Sequence, residues 1–201
     1  MHNKGRTTRD VILGLAVDAI DAGGEAAVRV KQIADDAGVA VTSLYHFFGS
    51  REGLVQAALV ARFEAGYARG REELEDAARS ASTPEEFSVE IERILRTTFA
   101  KKFTSSRQRR LTVAGAAMSR PELRAEINDV QRTWYAELLG SLRTAQERGL
   151  IRPIVPLETI TTWHLITANG LVSVEGDDTG TDVKGWLDVY IDTMLRLLGL
   201  R

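Results

Sequence analysis

The residues best placed for chemistry lie between Val28 and Leu54, in the run VRVKQIADDAGVAVTSLYHFFGSREGL. Thr42, Ser43, Tyr45 and His46 cluster there, and their hydroxyls and imidazole suit contacts to phosphate oxygens and base edges. Val41 can add only an apolar contact, such as one to a thymine methyl. Lys31 and Arg51 flank the set, and each can reach a phosphate. Plainer readings stand beside these. Thr42 and Ser43 favour helix starts for their own sake. Tyr45 could join Phe47 and Phe48 in a core, and His46 could pack at the surface. Lys31 could be a solvated lysine, and Arg51 could offset nearby acids.

Elsewhere the chemistry is sparse. The 201 residues include no cysteine, which excludes disulfides, thiolate metal sites and cysteine nucleophiles. The three histidines, at positions 2, 46 and 164, are too scattered for a metal site. No nucleophile–base pair and no glycine-rich phosphate loop is present, so no catalytic residue, cofactor or metal is expected. A helical enzyme would have to rest on His164 with an acid such as Glu158, which is a thin basis. A helix-turn-helix used only for protein contacts is a third possibility.

The elements that must carry these residues are helical. Apolar residues recur at three- and four-residue steps, and no run alternates strictly. About nine helices are predicted. The first covers about 8–22 with Ile12, Ala16 and Ile20 inward. A second covers about 30–37 with Ile33 and Ala34. Gly38 turns the chain into a third, about 41–47, and Ser50 caps a fourth running to about Gly70. Thr83-Pro84-Glu85-Glu86 opens a fifth through a capping box. The run from Lys101 to Arg110, with five bases and no acid, reads as a solvated loop. A helix around Leu111–Met118 follows, then a long one from Pro121 to about Arg148. The last two span about 156–173 and 181–198, with Thr181 as the final cap.

The second and third helices with their glycine turn make a helix-turn-helix. Its residues Ile33-Ala34, Ala37-Gly38-Val39 and Leu44-Tyr45-His46-Phe47-Phe48-Gly49-Ser50-Arg51-Glu52-Gly53-Leu54 resemble the DNA-binding domain of the TetR family of transcriptional repressors. Thr8-Arg9 with Ile12, Ala16 and Gly24 is similar to that family's first helix. The likeness covers about residues 7–55, and Arg148-Gly149-Leu150-Ile151-Arg152-Pro153 resembles a junction common in the family. Where family members often open the second helix with Thr or Ser, this chain has Arg29 and Val30. Near position 41, often basic in the family, it has Val41.

The resemblance implies an all-α protein. A three-helix head (residues 1–50) would bind double-stranded operator DNA, and a helical body (residues 51–201) would bind a ligand and dimerise through its last two helices. The net charge of −2 rules out a general coat of positive charge, and acids outnumber bases between residues 10 and 55. DNA binding must then depend on which face carries the bases. Lys4, Arg6 and Arg9 read either as a solvated terminus or as an arm adding phosphate or minor-groove contacts.

In the body, Phe99, Phe103, Met118, Trp134, Trp163 and His164 are candidates to line a site for a small, largely apolar effector. Such a set at helical spacing is also what an ordinary core needs. Thr161, Thr162, His164, Thr167 and Asn169, polar in an otherwise apolar helix, could give a pocket its few orienting hydrogen bonds or sit at a dimer seam as specificity groups. No apolar run approaches the ~18 residues of a membrane span, and the N-terminus lacks a signal peptide's apolar segment. A soluble, cytoplasmic regulator is expected.

Overall fold

A computed structural model describes residues 7–65, 68–175 and 180–201. Among these residues the chain is all-helical, with a helix-turn-helix head and a helical body. The head comprises α1 (Thr8–Gly23), α2 (Val30–Asp36), α3 (Val41–Phe48) and α4 (Arg51–Ala65). The body comprises α5 (Ala68–Ser80), α6 (Pro84–Thr98), α7 (Thr104–Ala117), α8 (Pro121–Glu147), α9 (Leu157–Val172) and α10 (Val183–Leu197).

Local chemistry sets many of the helix ends. Thr7 accepts from the Asp10 amide while the Asp10 carboxylate accepts from the Thr7 amide, closing a capping box on α1. Ser50 accepts from the Gly53 amide at the start of α4. Thr83 caps α6, but the Glu86 carboxylate reaches the Ser82 amide rather than that of Thr83. The last helix is capped by Asp182, not Thr181.

Two further departures have physical causes. The segment after α4 forms a helix of its own, α5, giving ten α-helices among the described residues. Its inward stripe is only Leu74, Ala77 and Ala78 in a strongly charged sequence, so its periodicity is faint. The basic run from Lys101 is not a solvated loop. It forms a short 3-10 turn and the first turns of α7, and Arg107 is 2% exposed. Arg107 donates to the Glu175 carboxylate and to the carbonyls of Thr98 and Ala100, and Thr104 donates to the same carboxylate. Burial opposes ionisation of Glu175, but the hydrogen bonds from Arg107 and Thr104 outweigh it and hold that carboxyl below its usual range.

The buried apolar residues fall into two clusters. One joins Ile12, Ala16, Ile20, Ile33, Ala34 and Leu44 to Leu54, Val55, Ala58, Leu59 and Phe63 of α4. The expected boundary at residue 50 therefore lies just before a helix that helps build the head's core. The same cluster takes in Val113 and Ala117 from α7 and Leu123 and Ile127 from α8. The other cluster gathers α5, α6, α9 and α10 around Leu139, Leu142 and Ala145. Helix α8, 27 residues and so about 40 Å long, has its first half in the head's core and its second half in the body's.

Candidate functional site

In the head, Ile33, Ala34 and Leu44 are buried between α2 and α3, and Thr42, Tyr45, His46 and Phe47 of α3 are left exposed. Gly38 makes the turn with φ +68°, a conformation other residues rarely adopt. Gly53 lets α4 start against the end of α3: a Cβ there would lie 2.1 Å from the Phe48 carbonyl oxygen. Thr42, Tyr45 and His46 are exposed, Ser43 is half-buried, and Lys31 is exposed on α2. Val41 packs part of its side chain against the head's core, which leaves it less surface to offer. Neither α2 nor α3 has a side-chain cap, so their first amides are open to an acceptor from outside.

Arg51 has a structural task that its sequence position does not reveal. Its Nε donates to the Val28 carbonyl at 2.9 Å and its Nη2 to the Glu25 carbonyl at 2.6 Å. The guanidinium thus ties the start of α4 to the segment before α2. Of the proposed N-terminal arm, Lys4 and Arg6 lie outside the described residues. Arg9 sits on α1 with its guanidinium 5.2 Å from the centre of the Phe48 ring.

The body holds a cavity of about 110 Å³ between α5, α6, α7, α8 and α9, with Met194 of α10 also in its lining. Its wall is mainly apolar, with Ile91, Ile94, Leu95, Leu138, Leu142 and Ile160, and the polar or charged residues Arg71, Thr98, Arg110, Ser141, Thr161 and His164 also line it. Of the six residues expected at a ligand site, Trp134 and His164 line this cavity. The other four are elsewhere. Phe99 is buried against Trp186 and Tyr190, and Trp163 stacks on Tyr190. Phe103 lies under the Lys102 ammonium, and Met118 is 81% exposed at the end of α7. Thr167 donates to the Trp163 carbonyl of its own helix, and Asn169 is exposed. Thr161, one of the polar residues of this helix singled out in the sequence, is in the lining. Sequence reasoning missed Ser141, which reads as an ordinary helix-face residue, and the two arginines, which lie far apart along the chain.

His164 shares a short hydrogen bond between Nδ1 and the Tyr190 hydroxyl. Burial, helped by the positive charge of Arg110, pushes the His164 pKa down to about 4, so the imidazole is neutral at physiological pH. Burial also pushes the Tyr190 phenol up. The Thr161 side chain is fully buried, and its hydroxyl has no hydrogen-bond partner.

Head and body are also joined by polar contacts. Arg120, just before α8, makes a two-pronged pair with Glu25 at 3.0 and 2.9 Å. Gln56 of α4 donates to Glu126 of α8.

A short helix packed by a glycine turn against its predecessor, polar face outward and helix starts uncapped, is the form of a DNA-reading head. The head therefore has the form of a helix-turn-helix DNA-binding domain. Residues 12–58 match the family described as bacterial regulatory proteins, tetR family. The match lies within the head, which is thus similar to the helix-turn-helix domain of that family.

The whole fold is similar to that of solved regulators. A TetR-family regulator from a Rhodococcus species superposes with a TM-score of 0.69 at 19% identity, covering 96% of this chain and 98% of that one. The fatty acid degradation regulator FadR from Bacillus halodurans gives 0.59 at 20% identity, covering 96% and 97%. The ketosteroid transcriptional regulator KstR2 of Mycobacterium tuberculosis gives 0.50 at 22% identity, covering 96% and 95%. No curated protein matches the chain. Among the described residues no helix is long and apolar enough to cross a membrane.

Proposed function

We propose that this protein is a cytoplasmic, dimeric repressor that a small, largely apolar effector releases from a near-palindromic operator. The observation that carries the reading is the path of α8. Its first half shares the head's core, its second half shares the body's, and Trp134, Leu138, Ser141 and Leu142 present the middle of the helix to the cavity. A ligand that favours one position of α8 over another shifts the head with it. Its effect is limited by its difference in affinity for the two states, about 1.4 kcal/mol for a tenfold change in DNA binding. The names of two structural neighbours, a ketosteroid regulator and a fatty acid degradation regulator, accord with an apolar effector.

On DNA, Thr42, Ser43, Tyr45 and His46 face the major groove, with Val41 beside them and Lys31 and Arg51 toward phosphates. One such helix covers few base pairs, so two heads act together, about 34–36 Å apart on one face of the duplex. The second copy docks on α9 and α10. Ile160, Leu171, Tyr190 and Met194 are packed inside their own chain and are not available to a partner. The large apolar side chains most exposed on these helices are Ile166 and Val189, 69% and 68% exposed.

Fluorescence of Trp134 and release of a selected operator, followed in one titration with apolar compounds, test the reading. Both should change over the same concentration range, and Trp134→Ala should weaken both. A fluorescence change with the operator still bound would defeat the effector model. Ile166→Glu with Val189→Glu should give monomers by light scattering, and a persisting dimer would move the interface elsewhere.

A further inference from the structure

His164 brings to the cavity a polar group whose hydrogen-bonding sense is fixed by its neighbour. The Tyr190 phenol is buried, and burial pushes its pKa up, so it keeps its proton. Among the described residues its hydroxyl meets one hydrogen-bond partner, Nδ1 of His164. A buried phenol proton without an acceptor would cost free energy, so Tyr190 donates and Nδ1 accepts. The neutral imidazole then carries its own proton on Nε2. That N–H has no partner among the described residues. Nor is it sealed away by the surrounding protein, as the Thr161 hydroxyl is. The ring lies inside the body and lines the cavity, whereas Tyr190 does not, so the surface left to Nε2 opens on the cavity.

On the reading of this cavity as the effector site, we propose that it takes a compact neutral carbonyl compound: a small ring or branched chain against the aliphatic wall, its oxygen accepting a hydrogen bond from His164 Nε2. Ile94, Leu138 and Ile160 give the wall the surface that suits an apolar ligand body. A neutral N–H satisfies a carbonyl oxygen but supplies no charge to offset an ion. The arginines of the wall are not left over for that purpose, since Arg71 is paired with Glu137 and Arg110 is engaged within the protein. An anion entering such a wall would lose its hydration for little return. The volume of about 110 Å³ sets the size. An apolar cavity of about 150 Å³ holds benzene, so a five-membered ring is near the limit here and a larger ligand requires the walls to move.

Two probes of nearly the same shape separate the acceptor from the apolar body: cyclopentanone, and methylenecyclopentane, in which a methylene group replaces the oxygen. Each is titrated into the full-length protein on a selected operator, with tryptophan fluorescence and DNA release as readouts. The ratio of the two affinities is then compared with that of the double variant His164→Phe with Tyr190→Phe. Exchanging both partners for apolar rings leaves neither buried polar group unmet. The ketone's affinity relative to the hydrocarbon should fall in the variant by about five- to tenfold, the worth of one neutral hydrogen bond. An unchanged ratio would overturn the proposal, because a pair that only supports the fold affects both probes alike. Failure of cyclopentanone to bind the parent at millimolar concentration would also overturn it. If the ketone binds through His164 and releases no DNA, the carbonyl assignment stands and the effector reading fails. If the hydrocarbon alone binds and releases DNA, the effector reading stands and the carbonyl assignment fails.

The donor can also be read in the unaltered protein, whatever the fate of the variant. Nitrogen NMR of isotope-labelled histidine should show the His164 proton on Nε2 in the empty protein. The signal is assigned by its loss in His164→Phe. The attached proton should move downfield when cyclopentanone is added, as a new acceptor is engaged, and should not do so with methylenecyclopentane. A proton found on Nδ1 would make Nε2 an acceptor and overturn the proposal, as would a resonance that responds to both probes alike.

Discussion

Head and body handle polar groups in opposite ways. Among the described residues the buried polar or charged side chains are Arg107, Ser141 and Thr161, and all three belong to the body. The head's core is apolar, and its hydroxyls, phenol and imidazole lie on the outside of α3. A head that reads DNA needs polar groups at its surface, where they cost little until DNA displaces water. A body that recognises a small molecule needs polar groups inside, where each must find a partner or wait for one.

The largest expected effect comes from the body's buried ion pair. Glu175→Ala leaves the Arg107 charge uncompensated at 2–3% exposure and should cost about 3–5 kcal/mol in urea unfolding. Replacing both partners, Arg107→Met with Glu175→Leu, should recover most of the loss. If the single variant were as stable as the parent, the pair would be solvated and the contrast between head and body would weaken.

Next comes His164. Its pKa is about 4 in the fold and about 6.5 in the unfolded chain, so the unfolded state takes up the proton first. The stability it contributes is complete above pH 6.5 and is lost as pH falls toward 4, by about 2–3 kcal/mol. Urea midpoints across that range should fall less steeply in His164→Gln.

Smaller effects are expected in the head. Thr42→Ala should change preference at one or two base pairs by about 1–3 kcal/mol and leave unfolding unchanged, as measured by binding to a randomised operator pool. Arg51→Ala should weaken binding to all sequences alike and lower the salt slope by about 1. Because Arg51 also holds the carbonyls of Val28 and Glu25, its loss should reduce stability too. The smallest change in stability, below about 1 kcal/mol, is expected for Arg120→Ala, whose partly exposed pair with Glu25 bridges head and body. Its informative readout is the ratio of operator affinities with and without effector. A ratio equal to the parent's would assign the coupling to the apolar contacts of α8 alone.

The sequence by itself determined the helical class, most helix boundaries and the polar face that α3 leaves exposed. Those features are local: three- and four-residue periodicity, caps at Ser50 and Thr83, and the turn at Gly38 each act within a few residues. It missed α5, whose alanine stripe gives little contrast, and took Lys101–Arg110 for a solvated loop because the acid that buries Arg107 lies 68 residues away, at Glu175. Aromatic size was a poor guide to the cavity. Phe99 and Trp163 proved to be packing for Tyr190, and Met118 is in solvent, while the unpartnered hydroxyl belongs to Thr161. Only the tertiary structure could decide which groups share a wall. Arg71, Arg110, Thr161 and His164 come from three helices, and no spacing along the chain encodes a meeting that depends on how those helices pack around α8.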